Sequence, residues 1–391
     1  MVSCIKLLAM NVDTKVFVRK RFKDYYWSHR VPAPAELHRR EFGVGTLEEK
    51  IKVRHKSFKS ARELETFLKR EAPSYISYSS AYYEFPENQP MSEKKWMGAD
   101  LVFDLDAPMA FFKASVFEDV KREALNLLDF LTGDFGLSRQ DVSVNFSGSK
   151  GYHLHIASER VRALSGDGRR MIVDYVTGSG LDLKYFMEDV EAQGFSADRS
   201  GGYRKSVGVV RGPTASDVGW GGRIYASVRE FIANSSLDDF MRIEGIGPKK
   251  AQHLLDERDK NLAALDAGNW ASIRELTPKL LQRIVDERAV ALTGDADKMV
   301  TLDTSRLMRL PDTLHGGSGL SAANVSDLPS FNPLVDAVAF SEEETRIAPS
   351  KDIPRFDFME NQWGPYRKDE RVSLPEYAAV YLMLKDAAEK S

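Results

Sequence analysis

Cysteine is almost absent from this sequence, and its absence excludes several kinds of protein. A single residue, Cys4, among 391 positions excludes an intrachain disulfide and a zinc site built from several cysteines. No run of eighteen apolar residues occurs, so a membrane span is not expected. The apolar stretch near the N-terminus is too short and too interrupted for a secretory signal. These absences predict an intracellular, cytoplasmic protein without membrane contact.

A large excess of charge of either sign is also missing. The chain has 55 Lys and Arg residues against 58 Asp and Glu residues, a formal net charge of −3. This balance argues against a basic coat over the whole surface, as in proteins that cover nucleic acid, but it permits a local basic groove.

The pattern of apolar residues predicts an α/β fold, with a mixed-sheet catalytic core flanked by helices and a helical insertion. Residues 229–294 look helical almost throughout, apart from a break at Gly245, Gly247 and Pro248. We therefore assign 1–228 and 295–391 to a discontinuous core and 229–294 to the insertion. The strand-like segments are 51–56, 99–106, 142–146, 152–156 and 299–303. The short glycine-rich turn at 147–151 predicts a hairpin between the third and fourth of these strands. Helices are predicted from Ser60, over 115–130 and, as a surface helix, over 374–390.

Two acidic residues, Asp104 and Asp106, end the strand-like segment at 99–106. Side chains at positions i and i+2 of a strand point to the same face, so both carboxylates can reach one cation. Without a counter-ion they would repel each other. Ligands that are all oxygen favour Mg²⁺ or Mn²⁺. Alone, the pair also fits a surface turn or a sugar-nucleotide transferase.

A third acid, Asp303, ends the segment 299–303, which resembles a second strand. If the two strands are neighbours, three carboxylates can hold two metal ions roughly 4 Å apart, as in nucleotidyl transferases and nucleases. Such ions activate an attacking 3′ hydroxyl and neutralise a triphosphate.

Two further segments carry groups that suit phosphate. The turn Ser147–Gly148–Ser149–Lys150–Gly151 offers flexible backbone amides and an ammonium, and His153 and His155 share a strand face beyond it. Beyond Asp303, Arg306 and Arg309 are spaced by one helical turn, and His315 opens a glycine loop. Arg309 and His315, as guanidinium and imidazolium, are expected to stabilise charge on phosphates. An ordinary polar hairpin and a solvated basic helix end remain the alternatives.

Together these segments resemble the small-subunit family of archaeal and eukaryotic DNA primases, most closely the archaeal form. The resemblance covers about residues 40 to 320, and its specificity lies in the order of six motifs. The motifs are Arg40–Gly43, Arg54–Phe58, Tyr78–Glu84, Asp100–Asp106, Ser147–His153 and Leu302–His315.

The resemblance implies a primase-type core that synthesises primers on a single-stranded DNA template. It implies that Asp104, Asp106 and Asp303 bind two catalytic Mg²⁺ or Mn²⁺ ions, and it implies a large partner subunit with an iron–sulfur cluster. The residues implied to bind the nucleoside triphosphate are Arg54, Ser147, Lys150, His153, Arg309 and His315.

Two departures from the family pattern stand out. Family members commonly carry a zinc knob after the acidic pair, but residues 107–140 contain neither Cys nor His, so no zinc is expected. The family also tends to have Lys where this chain has Gly317, which removes one phosphate contact.

The break in the helical insertion resembles a helix–hairpin–helix element. Gly245 and Gly247 would present backbone N–H groups to a DNA phosphate, and Lys249 and Lys250 would reinforce that contact. A plain Gly-Pro turn is the alternative.

Three functions remain open from the sequence: a primase, a two-metal nuclease and a non-catalytic DNA-binding accessory protein. The Ser–Lys–His turn and the Arg309/His315 pair favour the primase, because a nuclease has little use for a triphosphate cradle.

Overall fold

The computed structural model describes residues 10–196, 203–274, 276–290 and 299–391. The predicted α/β class is confirmed, and the strand pairs of the described residues are antiparallel. The helices are α1 Val12–Ser28, α2 Ala61–Glu71, α3 Ala114–Asp129, α4 Glu159–Arg162, α5 Gly166–Val176, α6 Gly219–Asn234, α7 Leu237–Met241, α8 Pro248–Asp256, α9 Arg258–Asp266, α10 Thr277–Arg288, α11 Pro333–Asp336 and α12 Glu376–Leu384. The strands are β1 Phe42–Gly45, β2 Val53–Lys56, β3 Tyr75–Ser79, β4 Ala81–Tyr83, β5 Trp96–Ala99, β6 Leu101–Asp106, β7 Val142–Phe146, β8 Gly151–Ile156, β9 Glu188–Ser196, β10 Tyr203–Arg211, β11 Leu307–Arg309, β12 Asn324–Val325, β13 Glu344–Pro349, β14 Phe356–Phe358, β15 Asn361–Trp363, β16 Val372–Pro375 and β17 Ala388–Lys390.

The described residues form two compact units. The first comprises 10–128, 137–173 and 299–391, and the second comprises 129–136 and the described part of 174–290. The second unit thus contains the predicted insertion as far as residue 290, together with the chain from 174 onwards. Residues 291–298, where the core was predicted to resume, lie outside the described residues. The division into a discontinuous core and an insertion stays a prediction.

One sheet of the first unit carries the acidic strand. Its order is β12-β7-β8-β6, and the predicted hairpin of β7 and β8 is confirmed. Asp104 lies opposite His153, and Asp106 opposite Gly151. The two acids therefore stand directly beside the hairpin that bears the Ser–Lys–His turn.

A second sheet of the same unit has the order β11-β3-β1-β2. Arg309 on β11 lies opposite Ser77 on β3, and Gly45 on β1 lies opposite Tyr75. The two sheets meet where the ring of Tyr78 stacks on His155, with centroids 5.9 Å apart. This contact joins the two sheets through their interior strands β3 and β8.

The predicted strand at 299–303 is wrong. Residues 299–302 form a helical turn, closed by a hydrogen bond from Asp303 N to Met299 O of 2.9 Å. Val300 and Thr301 are both buried, whereas a strand at a sheet surface would bury only alternate residues. Val300 packs with Val102 and Met308, and this contact sets the local conformation against the β-branched pattern.

The predicted C-terminal helix is present over Glu376–Leu384, but its expected surface position is wrong. All nine residues of α12 are buried. Its Tyr381 ring stacks on Phe112 with centroids 4.1 Å apart, and its hydroxyl accepts a hydrogen bond from Phe112 N. The segment after the acidic pair is thus held by aromatic packing against the C-terminal helix.

The second unit has its own apolar core. Trp270 is fully buried and donates through Nε1 to the carbonyl of Pro213, and α6 to α10 pack around the same cluster. In the described residues no helix has the length and apolar character needed to cross a membrane.

Candidate active site

The two acids of β6 face a histidine across the strand pair. His153 Nε2 lies 3.3 Å from Asp104 Oδ1. Both carboxylates are half-buried, since Asp104 and Asp106 alternate with the buried residues Phe103 and Leu105. The placement of both acids on one face, predicted from the period of two, is what the strand shows.

Asp104 is held in its charged form. Burial alone would raise the pKa of this carboxyl, but attraction to His153 and Arg306 lowers it below its usual value. A carboxylate that stays ionised despite burial is suited to bind a cation.

Asp303 follows the helical turn whose Val300 packs against Val102 of β6. Its carboxylate accepts hydrogen bonds from the backbone N–H and the hydroxyl of Ser305, at 2.9 and 2.8 Å. Within the described ranges, no three His, Cys, Asp or Glu side chains are grouped so as to hold a metal ion. The structure therefore pairs Asp104 with Asp106, while Asp303 is engaged by Ser305.

The turn from Ser147 to Gly151 is organised by its first side chain. Ser147 Oγ accepts hydrogen bonds from the backbone N–H groups of Ser149, Lys150 and Gly151, at 3.2 to 3.3 Å. The amides that were expected to face an anion are thus directed at Ser147. The ammonium of Lys150 remains as the charged group that this turn offers.

The same turn packs tightly against the glycine loop that follows Arg309. Ser318 Oγ donates to the carbonyl of Gly148. Gly148 has φ +78°, and a Cβ there would lie 2.9 Å from His315 Cβ. Only glycine combines that conformation with that approach, so the two predicted phosphate-binding segments do meet.

Arg309 is a half-buried cation that packs on an aromatic ring. Its guanidinium carbon lies 4.8 Å from the centroid of Tyr75, and its buried Nη1 has no hydrogen-bond partner. Burial lowers its pKa, and no carboxylate is among the groups that oppose this shift. The predicted helical spacing of Arg306 and Arg309 is wrong, because Leu307–Arg309 is the edge strand β11.

His315 also packs on Tyr75, edge to face, with ring centroids 5.3 Å apart. Its Nδ1 accepts a hydrogen bond of 3.2 Å from Gly317 N, which leaves the proton of the neutral ring on Nε2. Burial, followed by the charges of Arg309 and Lys50, lowers the pKa of His315 well below its usual value. The lowered pKa favours the neutral ring over the expected imidazolium in the ligand-free protein.

Arg54 is positioned by a buried acid that the sequence reasoning did not single out as functional. Arg54 Nε donates to Glu41 Oε1 at 2.9 Å, and Glu41 is fully buried. The adjacent Lys94 ammonium lies 3.6 Å from Glu41 Oε2. Glu41 therefore fixes the direction from which the Arg54 guanidinium approaches.

Sequence reasoning also missed Tyr75 and Ser318. The ring of Tyr75 supports both Arg309 and His315, and Ser318 links the two glycine segments. In the sequence Tyr75 is an ordinary aromatic residue of a strand. Only its position beside Arg309 and His315 in the folded protein reveals this role. The serine within His315–Gly–Gly–Ser–Gly was a usable signal, since small polar residues in such loops often bond backbone groups.

The glycine segment of the second unit joins two helices, a geometry that the predicted helix–hairpin–helix element and a plain Gly-Pro turn have in common. Helices α7 and α8 flank Gly245, which has φ +90°, and Gly247 is the N-cap of α8. Lys249 and Lys250 are exposed in the first turn of α8. This arrangement directs N–H groups and two cations outward.

Comparison with known proteins agrees with these features. The family model of the DNA primase small subunit matches residues 103–327. The DNA primase small subunit PriS of Methanococcoides burtonii is 36% identical, covering 97% of this chain and 99% of that protein. Those of Methanothrix thermoacetophila and Haloarcula marismortui are 35% and 32% identical, again over 97% of this chain, and 100% and 99% of their own lengths are covered. With the acidic strand, the serine–lysine turn and the Arg309/His315 segment all inside the matched region, this chain belongs to the DNA primase small subunit family.

Proposed function

We propose that this protein synthesises primers on single-stranded DNA by transferring nucleotides from nucleoside triphosphates to a 3′ hydroxyl. The observation that carries the proposal is a pair of carboxylates beside a pocket of cations within one unit. Asp104 and Asp106 supply the negative face, and Arg309 and Lys150 supply the positive one. A triphosphate bound with divalent cations needs both faces.

The acidic face suits Mg²⁺ or Mn²⁺. Asp104 and Asp106 share a strand face and offer oxygen ligands only, which is the donor set that these ions prefer. We propose these two residues as ligands, with Asp303 as a third. When bound, two such ions lower the pKa of an attacking hydroxyl and neutralise charge on the triphosphate.

The cationic face suits the phosphates. Arg309 is half-buried and forms no ion pair with a carboxylate in the described residues, and such desolvation of a cation is costly unless an anion compensates it. Lys150 adds a mobile charge, and neutral His315 offers its Nε2–H. Ser147 shapes the turn, and His153 orients and helps to ionise Asp104. Arg54, directed by Glu41, is proposed to reach the same nucleotide.

A two-metal nuclease would need the same carboxylates but not this cationic pocket. A DNA-binding accessory protein would need neither. One assay separates the three functions: purified protein, single-stranded DNA, labelled nucleoside triphosphates and Mg²⁺ or Mn²⁺, with a chelator control. Metal-dependent extension products support the proposal, degradation of the DNA supports the nuclease, and binding without turnover supports the accessory protein.

The same assay, run with ribonucleotides and deoxynucleotides, defines the preferred substrate. Asp104→Ala serves as the matched inactive protein. Products that persist in this variant would exclude the proposed site as their source.

Two interactions complete the proposal. The Gly245–Lys250 hairpin contacts template phosphates, and a larger subunit pairs with this chain, since the relatives are named small subunits. The iron–sulfur cluster of that partner is proposed from the family resemblance. Primer synthesis is part of DNA replication, so we propose a cytoplasmic location at the nucleoid. Co-expression followed by affinity purification tests the pairing, and the absorbance of an iron–sulfur cluster identifies the cofactor of the partner.

A further inference from the structure

The turn between β1 and β2 brings a further lysine to the cationic pocket. Thr46 N donates to Glu49 O and Lys52 N donates to Val44 O, both at 2.8 Å. A Cβ on Gly45 would lie 2.1 Å from the carbonyl oxygen of Lys50. Because only glycine permits this approach, the backbone of Lys50 is held against the end of β1.

The end of β1 lies next to the aromatic support of the pocket. Gly45 is opposite Tyr75 in the sheet. The ring of Tyr75 contacts both Arg309 and His315. The backbone contact at Gly45 thus places Lys50 one strand away from the residue on which the proposed phosphate ligands rest.

The charges around Lys50 match this placement. Desolvation lowers the pKa of its ammonium, and Arg309 and Lys150 lower it further, while Asp106 and Asp104 oppose the shift. Lys50 also acts on the pKa of His315. Among the ion pairs of the described residues none involves Lys50, Lys150 or Arg309. Three cations in mutual repulsion without a carboxylate at contact distance indicate an anionic ligand with several charges.

We propose that Lys50 binds the phosphates of the incoming nucleoside triphosphate together with Arg309 and Lys150. This role rests on the proposed function of the pocket. Lys50 as a whole is exposed while its ammonium is partly desolvated, so the flexible side chain can approach a phosphate of the pocket as a point charge. Gly317 leaves the neighbouring loop without a cation, and a Cβ there would lie 3.2 Å from both His315 and Tyr75.

Phosphate in this pocket can come from a triphosphate or from the backbone of the primer. The test compares Lys50→Ala with Lys52→Ala, an exposed lysine two residues away that serves as the matched control. Measured quantities are KM for the nucleoside triphosphate and the affinity for a primed template. Lys50→Ala is expected to raise KM about fivefold to tenfold, as the loss of one charged contact does, and to leave DNA affinity unchanged.

Lys50→Arg keeps the charge and is expected to restore most of the nucleotide affinity, which a merely structural role would not require. Arg309→Ala is the reference for the pocket itself. If Lys50→Ala and Lys52→Ala have the same KM while Arg309→Ala raises KM, only the inference on Lys50 is overturned and the proposed function stands. If Lys50→Ala weakens only DNA binding, it is overturned in favour of the primer backbone. If the wild-type protein binds no nucleotide, the proposed function falls with it.

Discussion

Arg309 lies over the ring of Tyr75, with its guanidinium carbon 4.8 Å from the ring centroid. The ring provides a favourable cation–π contact, of about 0.5–2 kcal/mol, but it does not neutralise the charge. Partial burial of a cation without a carboxylate partner costs free energy, and the ring contact offsets only part of this cost. The free protein thus keeps Arg309 at a cost in stability that a bound anion removes.

Replacing Arg309 by Met therefore separates stability from binding. Arg309→Met is expected to raise Tm in the absence of nucleotide and to weaken triphosphate binding by about ten- to a hundredfold, the worth of a charge-assisted bond. Thermal unfolding with and without nucleotide measures both effects. Arg346→Met, on an exposed position of β13, is the control. A loss of Tm in the free variant would contradict this account of Arg309.

Loss of a strand acid is expected to abolish synthesis without unfolding the protein. Asp104→Asn removes a charge that a divalent cation requires, and catalysis should fall at least about a hundredfold. Primer synthesis and circular dichroism measure activity and fold. Asp119→Asn, on the exposed surface of α3, should behave as wild type. Activity within tenfold of wild type in Asp104→Asn would remove this residue from the metal site.

Gly148→Ala tests the contact between the two glycine segments. A Cβ there would meet His315 at 2.9 Å in a backbone region that costs non-glycine residues about 1–2 kcal/mol. Both Tm and nucleotide affinity should fall. Gly136→Ala is matched for conformation, with φ +60° and no atom within 4 Å of the added Cβ, and should lower Tm only. Equal nucleotide affinity in the two variants would show that the contact does not shape the pocket.

Acid sensitivity is expected from two buried histidines. Burial lowers the pKa of His155 to about 3 and lowers that of His315 as well. The unfolded chain therefore binds protons below pH 6.5 that the folded protein does not. The free energy of unfolding should fall as pH drops from about 6.5 towards 3. Each of the two histidines contributes about 1.4 kcal/mol for every pH unit.

Urea unfolding at several pH values measures this slope. In His155→Gln the free energy of unfolding should depend less steeply on pH, because one of the two histidines no longer contributes. His38 is exposed, so His38→Gln serves as the control and should keep the slope of the wild-type protein. A slope unchanged by His155→Gln would mean that His155 is protonated in the folded protein.

Reversing the hairpin charges is expected to weaken template binding. Lys249→Glu with Lys250→Glu should lower affinity for single-stranded DNA and flatten its dependence on salt, because fewer counterions are released. A salt titration measures both quantities. The control is Lys184→Glu with Lys260→Glu, which makes the same change in net charge at other exposed positions of the second unit. If both double variants bind alike, the hairpin has no specific role.

Local sequence rules determined several elements of this protein. Apolar alternation and a glycine turn predicted the β7–β8 hairpin. Ser60 predicted the start of α2, and its side chain accepts a hydrogen bond from Glu63 N as the N-cap. The period of two placed Asp104 and Asp106 on one face. These features depend on backbone geometry and near neighbours, which a short stretch of sequence contains.

Only the tertiary structure decided how distant segments combine. Packing of Val300 on Val102 turned a strand-like pattern into a helical turn, and surrounding elements buried α12 on all sides. Burial likewise lowers the pKa of His315, which was expected to be charged, and the fold places Arg309 on the ring of Tyr75 and in no ion pair of the described residues. Burial and the electrostatic surroundings depend on residues far apart in the chain, so no local pattern contains them. The sequence thus supplied the chemical groups, and long-range packing set their charge states and their partners.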